Sequence, residues 1–137
     1  PTTSEWGNYA SADYWRVLGA VAQLGRLWRP DEAATPGGAP VVVVSDRFWR
    51  ARLGADPRAV GRTLWVNGVA CTVIGVTPPG FAGAFVGLTF DLWVPVTMYP
   101  RLADWRDRLE ARHSQWLVGV ARPRPGVGLA QLDAELR

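Results

Sequence analysis

Apolar residues fall along this chain in short bursts separated by glycine and proline. The densest series runs over residues 41–79: VVVVSDRFWRARLGADPRAVGRTLWVNGVACTVIGVTPP. The four valines at 41–44 form an unbroken apolar run, the pattern of a strand buried on both faces. Ser45 follows at an N-cap position, and Asp46 stands in the first turn, where a carboxylate complements the helix dipole. Phe48, Trp49, Ala51 and Leu53 give this helix an apolar side, and Gly54 supplies a C-terminal stop. After a turn at 56–61, Thr63-Leu64-Trp65-Val66 reads as a strand. Asn67-Gly68 is the strongest two-residue signal for a type I′ hairpin, and residues 69–76 make the return strand, ended by Thr77-Pro78-Pro79-Gly80. One stretch therefore predicts strand, helix, strand, hairpin and strand.

The flanks are less regular. Ser11 is placed to cap a short helix over 12–18 that Gly19 closes, with Tyr14, Trp15 and Leu18 on its apolar side. Residues 20–24 suit a brief strand, and 25–28 a turn into a further extended piece. The breaker-rich loop DEAATPGGAP at 31–40 is expected to be the most mobile surface segment. Residues 80–88, GFAGAFVGL, read as a loop laying Phe81 and Phe85 over the sheet. Their glycines do not follow G-x-G-x-x-G, and no G-K-[ST] comes after them. Residues 91–96 suggest an edge strand, because Pro95 lacks a backbone donor. A helix is expected over 102–112, with Leu102, Trp105 and Leu109 on one face and an Asp104–Arg108 pair worth roughly a few tenths of a kcal/mol. A strand at 115–121, a turn at 123–126 and a closing helix from Leu129 complete the chain. The expectation is an α+β fold: a mixed β-sheet with short helices and a β-hairpin at Asn67-Gly68, forming a single domain over 1–137.

Composition narrows the function classes. At 137 residues and 48% apolar content the chain is long enough for a real core and is not a disordered segment. Gly 15 and Pro 11 together exceed ordinary usage, which favours many turns and short elements over a helix bundle. The net charge is +3, and all 15 basic residues are arginine, dispersed among acids rather than gathered on one face, which argues against nucleic-acid binding. No run of 18 apolar residues and no signal peptide is present. Pro1 without an initiator Met, and a last helix that stops in mid-course, suggest a segment of a longer protein.

Candidate chemistry is sparse. Cys71 is the single cysteine, set in an apolar strand, and reads as a buried inert thiol. His113 is the single histidine; Ser45 or Ser114 could partner it on paper, but no G-x-S-x-G elbow occurs, and a histidine at a helix end more commonly meets the last carbonyls. No H-E-x-x-H or calcium loop appears, so no metal or cofactor is assigned. Of the eight tryptophans, Trp15, Trp49 and Trp105 fall on apolar helix faces and Trp65, Trp93 and Trp116 in strands, which suits core packing. That leaves Trp6 and Trp28 for the surface, where stacking on a sugar or peptide is the alternative function to weigh.

The central stretch is also an ordered set of short motifs. Val41-Val42-Val43-Val44-Ser45, Phe48-Trp49, Gly54-Ala55-Asp56-Pro57, Val60-Gly61-Arg62-Thr63-Leu64, Val66-Asn67-Gly68 and Thr72-Val73-Ile74-Gly75-Val76-Thr77-Pro78-Pro79-Gly80-Phe81 follow one another. In that order they resemble the MacB-like periplasmic core domain of ABC transporter permeases in the MacB/FtsX superfamily. Ser11 to Gly19 with Gly25-Arg26, Asp91-Leu92-Trp93-Val94-Pro95, and Val118 to Arg122 with Pro125-Gly126-Val127 agree with the family's flanks. The likeness covers most of residues 11–136. It rests on the order of many weak motifs rather than on any one.

The resemblance implies an extracytoplasmic domain, periplasmic or extracellular, lying between the first two membrane helices of a permease in the inner or plasma membrane. It implies as partners the membrane helices of the same permease, a cytoplasmic ABC ATPase acting indirectly, and an extracytoplasmic protein or exported substrate. Family members export drugs, toxins or peptides, move lipoproteins, or control cell-wall hydrolases. No catalytic, cofactor or metal residue carries over, so the expected role is non-enzymatic: transmission of ATP-driven movement to something outside the membrane. The two loops then become the candidate partner-contact surface, with Asp31, Glu32 and Phe85 as its residues. A carbohydrate- or peptide-binding module using exposed aromatics is the alternative.

Overall fold

The structure, a computed structural model, describes residues 5–85, 87–102 and 121–136. Its frame is a six-stranded mixed sheet. The strands are β1 (Gly7–Ala10), β2 (Leu24–Gly25), β3 (Val41–Val44), β4 (Thr63–Val66), β5 (Val69–Val76) and β6 (Leu92–Pro95). They run in the order β1-β6-β3-β5-β2, with β4 also paired to β5. β1 lies parallel to β6 and β3 parallel to β5, while β6 runs antiparallel to β3 and both β2 and β4 antiparallel to β5. The helices are α1 (Tyr14–Leu18), α2 (Asp46–Arg52), α3 (Tyr99–Leu102) and α4 (Leu129–Leu136). The expected α+β class and mixed sheet are what is found.

The valine run behaves as an unbroken apolar strand should. Val42 and Val44 face one side of the sheet and Val43 the other, all three without solvent exposure. On the first side Val42, Val44, Cys71, Val73 and Val94 meet Phe48 of α2 and Met98 and Leu102 at and before α3. On the second, Val43, Ile74, Trp93 and Ala10 meet Trp15 of α1 with Trp28, Ala33 and Phe90. The module therefore has helices over an aliphatic face and, over the other face, one short helix plus loops that carry aromatic rings.

The helix caps follow the local sequence. The Ser45 hydroxyl accepts from Phe48 N–H at 3.0 Å, and Asp46 sits in the first turn with Arg50 one turn on. Gly54 takes the left-handed conformation just past the end of α2. At the hairpin, Asn67 (φ 46°) and Gly68 (φ 77°) both have positive φ, as a type I′ turn requires, and Val66 pairs with Val69. Asn67 Nδ2 also donates to the Leu102 carbonyl at 2.9 Å, tying the tip to α3. β2 reaches β5 through glycine. A Cβ on Gly25 would run into the Ile74 carbonyl, and one on Gly75 into the Arg26 carbonyl, so this close crossing admits no side chain at either position.

Four expectations need correcting. α1 begins at Tyr14 behind Asp13, two residues later than Ser11 suggested, and no side chain caps it. The brief strand expected at 20–24 shrinks to β2, whose length is set by the glycine crossing. β6 is not an edge: it lies between β1 and β3, and Pro95 is tolerated because it is the last residue, beyond the Leu92 and Trp93 that pair with β3. The loop at 31–40 is fastened rather than loose. Ala33 and Ala39 are buried, Gly37 N–H donates to the Thr97 carbonyl (2.7 Å), and Arg101 donates to the Gly37 carbonyl (3.1 Å). The helix expected over 103–112, with Trp105, Asp104–Arg108 and Leu109, the strand over 115–120, and His113, Ser114 and Trp116 lie outside the described residues.

Candidate functional site

Both candidate loops are seated on the aromatic face. Ala33, from the first, belongs to the cluster of Trp15, Trp28, Phe90 and Trp93, and Phe81 and Phe85, from the second, pack against that cluster. The fold thus brings together two segments some fifty positions apart in sequence.

The three singled-out residues differ in how much they offer a partner. Asp31 is outward: its side chain is 74% exposed and meets Arg29 Nε at 3.3 Å. Glu32 is already engaged. It takes a two-pronged pair of hydrogen bonds from Arg26, both 2.8 Å, and a third from Arg29 N–H at 2.7 Å. The Arg26 hydrogen bond is the main reason its carboxyl is held below the usual glutamate range. Phe85 is half-buried and makes an edge contact with Phe90, ring centres 5.9 Å apart.

A second polar centre escaped the sequence reading. Asp91 is buried at the start of β6 and receives Arg47 through Nη2 at 2.8 Å to each carboxylate oxygen and Nε at 3.1 Å. Ser45 Oγ donates to the same carboxylate at 3.2 Å while accepting from Phe48, and Ser45 N–H donates to the Asp91 carbonyl at 2.8 Å. The arrangement fastens the start of α2 to the start of β6. It is structural in form: both Asp91 carboxylate oxygens and the Ser45 hydroxyl are partnered within the chain, although the Arg47 side chain itself is 63% exposed. Asp46 and Asp56 are likewise held below the usual aspartate range, Asp46 chiefly by a hydrogen bond from Gln23 and Asp56 chiefly by the Arg58 backbone N–H. Burial pushes the Cys71 thiol up, consistent with a packing role. Among the described residues no three His, Cys, Asp or Glu side chains gather as metal ligands would.

The tryptophans redistribute. Trp28, expected at the surface, is buried, with its Nε1 donating to the Ser11 carbonyl at 3.3 Å. Trp65, expected in the core, is 69% exposed, because β4 turns Leu64 and Val66 toward the aliphatic cluster and therefore Trp65 away from it. Trp49 is half-buried, its Nε1 donating to the Asp56 carbonyl and Arg50 lying over its ring. Leu64, Trp65 and Val66 are all apolar, so the sequence does not say which side of β4 is covered; once Leu64 and Val66 pack inward, the strand geometry turns Trp65 outward.

Residues 2–137 match the model of the MacB-like periplasmic core domain. The chain belongs to this family. The macrolide export ATP-binding/permease protein MacB of Burkholderia thailandensis is 29% identical over 84 residues, which is 61% of this chain and 13% of that protein. Two solved structures share the fold at 20% identity. The periplasmic region of MacB from Actinobacillus actinomycetemcomitans has a TM-score of 0.68, covering 98% of this chain and 55% of that one. The extracellular domain of the noncanonical ABC-type transporter YknZ from Gram-positive bacteria has a TM-score of 0.57, covering 74% of this chain and 50% of that one. The chain thus spans about half the length of these solved domains and a small part of the MacB protein it matches. As a MacB-like periplasmic core domain it is an extracytoplasmic domain of an ABC transporter permease. No helix among the described residues is long and apolar enough to cross a membrane.

Proposed function

We propose that this domain transmits ATP-driven movement of its permease to a substrate or partner outside the membrane. The observation that carries the reading is how the amino-terminal strand is built into the frame. β1 enters the sheet parallel to β6, the Trp6 carbonyl accepts from Asp91 N–H at 2.8 Å, and Arg52 of α2 pairs with Glu5 at 3.1 Å. β6 is in turn fastened to α2 through Asp91, Arg47 and Ser45. A pull on residues 5–10 is therefore shared by the sheet and α2 instead of peeling off one end. In this reading the membrane helices of the same permease drive the domain, and a cytoplasmic ABC ATPase drives them. The loops at 31–40 and 80–88, with Asp31, Glu32 and Phe85, are the surface that meets an extracytoplasmic protein or the exported substrate. The domain itself is non-enzymatic. The alternative, a module stacking sugars or peptides on Trp6 and Trp28, loses its pair, because Trp28 is buried.

The test uses the full-length permease with its ATPase in a membrane. Replacing the exposed side chains of both loops, Asp31 and Thr35 in the first and Leu88 in the second, while keeping the packed Ala33, Ala39, Phe81 and Phe85, is expected to leave folding and basal ATP turnover intact while reducing transport or partner engagement at least tenfold. Wild-type transport after these replacements would remove the contact surface. Wild-type transport after excision of the whole domain would remove the transmission role.

A further inference from the structure

The β4–β5 hairpin carries the sheet past its own cover. Thr63, Trp65, Ala70 and Thr72 are all exposed on one side of it, with Trp65 opposite Ala70 and Thr63 opposite Thr72. Ile74, two positions further along β5 on the same side, is already buried in the aromatic cluster. This side of the sheet is thus covered as far as Ile74 and bare beyond it, and the bare part holds a tryptophan 69% exposed.

The strand edge beside this face is open as well. Thr72 N–H donates away from β4, to the Pro40 carbonyl at 2.8 Å, whereas Val73 N–H donates toward the β4 side, to the Arg62 carbonyl at 2.9 Å. That phase, with Val66–Val69 as the closing pair of the two-residue turn, leaves Leu64 and Val66 to bond β5 and directs the N–H and C=O groups of Thr63 and Trp65 outward. Among the described residues β4 pairs with β5 alone, and no partner for these outward groups is found. Proteins that end at such an edge guard it with lysine, proline, a bulge or an inward charge. Residues 63–72, TLWVNGVACT, contain no charged residue and no proline, and β4 pairs with β5 without a register shift. Apart from its shortness, β4 is unguarded. An uncharged face with a large exposed ring beside an unguarded edge is the surface of a unit whose neighbour stays attached.

We propose that the hairpin face and the β4 edge are covered, in the whole permease, by the portion of the same extracytoplasmic domain that lies outside these 137 residues, an extended segment of it pairing with Thr63 and Trp65. The size of the relatives names this occupant. The chain covers 55% of the MacB periplasmic region and 50% of the YknZ extracellular domain, so each of those domains holds a comparable length of polypeptide beyond the shared fold. Charge complementarity points the same way. A partner that comes and goes gains its rate and selectivity from charge, whereas a segment joined to the same chain needs none, and residues 63–72 offer none. The added strand sets alternate side chains against Trp65 on one side and beside Leu64 and Val66 on the other, so it is apolar on both.

Photo-crosslinking in the full-length permease tests this without reading transport, so its failure is distinct from failure of the transmission role. A photoreactive phenylalanine in place of Thr63 is expected to join, on peptide mapping by mass spectrometry, a segment of the same extracytoplasmic domain outside these 137 residues. In the folded permease, Thr63→Cys is expected to react with a maleimide at least tenfold more slowly than Arg58→Cys, at a position whose side chain is 89% exposed in this chain, and denaturant is expected to equalise the two. Should the Thr63 variants not fold, the same replacements at Ala70, on the same bare face, are read in their place. A crosslink confined to these 137 residues, or made to a second copy or to another protein, overturns the proposal. Equal labelling of the two cysteines in the folded permease overturns it too.

Discussion

The two faces of the sheet solve the same problem with different materials. The aliphatic face is covered by α2, α3 and the β4–β5 hairpin, which are regular elements, and its edges are closed by polar groups with partners in the chain: Ser45, Asp91 and Arg47 at one end, Asn67 and the Leu102 carbonyl at the other. The aromatic face is covered mostly by the loops at 31–40 and 80–88, and it encloses the unpaired groups of Tyr14, Trp15 and Trp93. Large flat rings make this possible. A ring buries much area from a single position, so a loop carrying Phe81 or Phe85 can serve where an aliphatic cover would need a whole helix. The result is one side held by hydrogen-bonded regular structure and another held by ring contacts beneath loops. The partner-contact proposal assigns the second side to signalling and the first to stiffness.

The largest expected effect sets the two faces directly against each other. Trp93→Ala should destabilise the chain by about 3–5 kcal/mol and Met98→Ala by about 2–5 kcal/mol, since both side chains are fully enclosed. Chemical denaturation checks the size, and native-state hydrogen exchange checks the contrast. Trp93→Ala should speed exchange in residues 80–88 more than global destabilisation accounts for, whereas Met98→Ala should not. Equal acceleration of the loop by both variants would break the distinction between the faces.

A smaller effect is expected at the hairpin that covers the aliphatic face. A side chain on Gly68 meets nothing within 4 Å, so Gly68→Val isolates the backbone cost of a β-branched residue at φ 77°. A loss of about 1 kcal/mol or more in thermal or urea unfolding is expected. An unchanged melting temperature would show that the turn is not type I′ in solution.

The smallest effect concerns the loop over the aromatic face and depends on pH. The Glu32 carboxyl is held low in the folded state, mainly by Arg26. Its contribution is therefore complete above its unfolded pKa of about 4.3 and is lost as pH falls through the lower folded value. Asp46 and Asp56 titrate in the same sense and share the acid limb of the stability curve. Glu32→Gln should lower stability slightly near pH 7 and converge on wild type in acid, so that limb flattens; the effect is small because Arg26 is half exposed and solvent screens the pair. A limb of unchanged slope in the variant would show that the loop is not fastened through Glu32.

What the sequence determined by itself is the set of features governed by neighbours in the chain. The order strand, helix, hairpin and strand over 41–76, the Ser45 cap, the left-handed Gly54, the turn at Asn67-Gly68 and the aromatic packing of the 80–88 loop were all legible, because capping, positive φ and side-chain period are local properties. Family membership was legible for the same reason, since it rests on the order of such motifs. Tertiary structure alone decided which strand lies inside the sheet, which tryptophans are buried and what fastens the loops. Pro95 marks an edge only when its strand is one, and β1, whose residues lie 85 positions before their partners (Gly7 opposite Leu92), makes β6 internal. Trp28 and Trp65 exchange places because burial depends on what the fold lays over a residue, and neither Ala33 nor Leu64 announces its neighbour in sequence. Asp91 and Arg47 belong to segments brought together only by the folded sheet. Polar groups far apart in the chain reveal a shared site only when their partners, or the lack of them, can be counted in space.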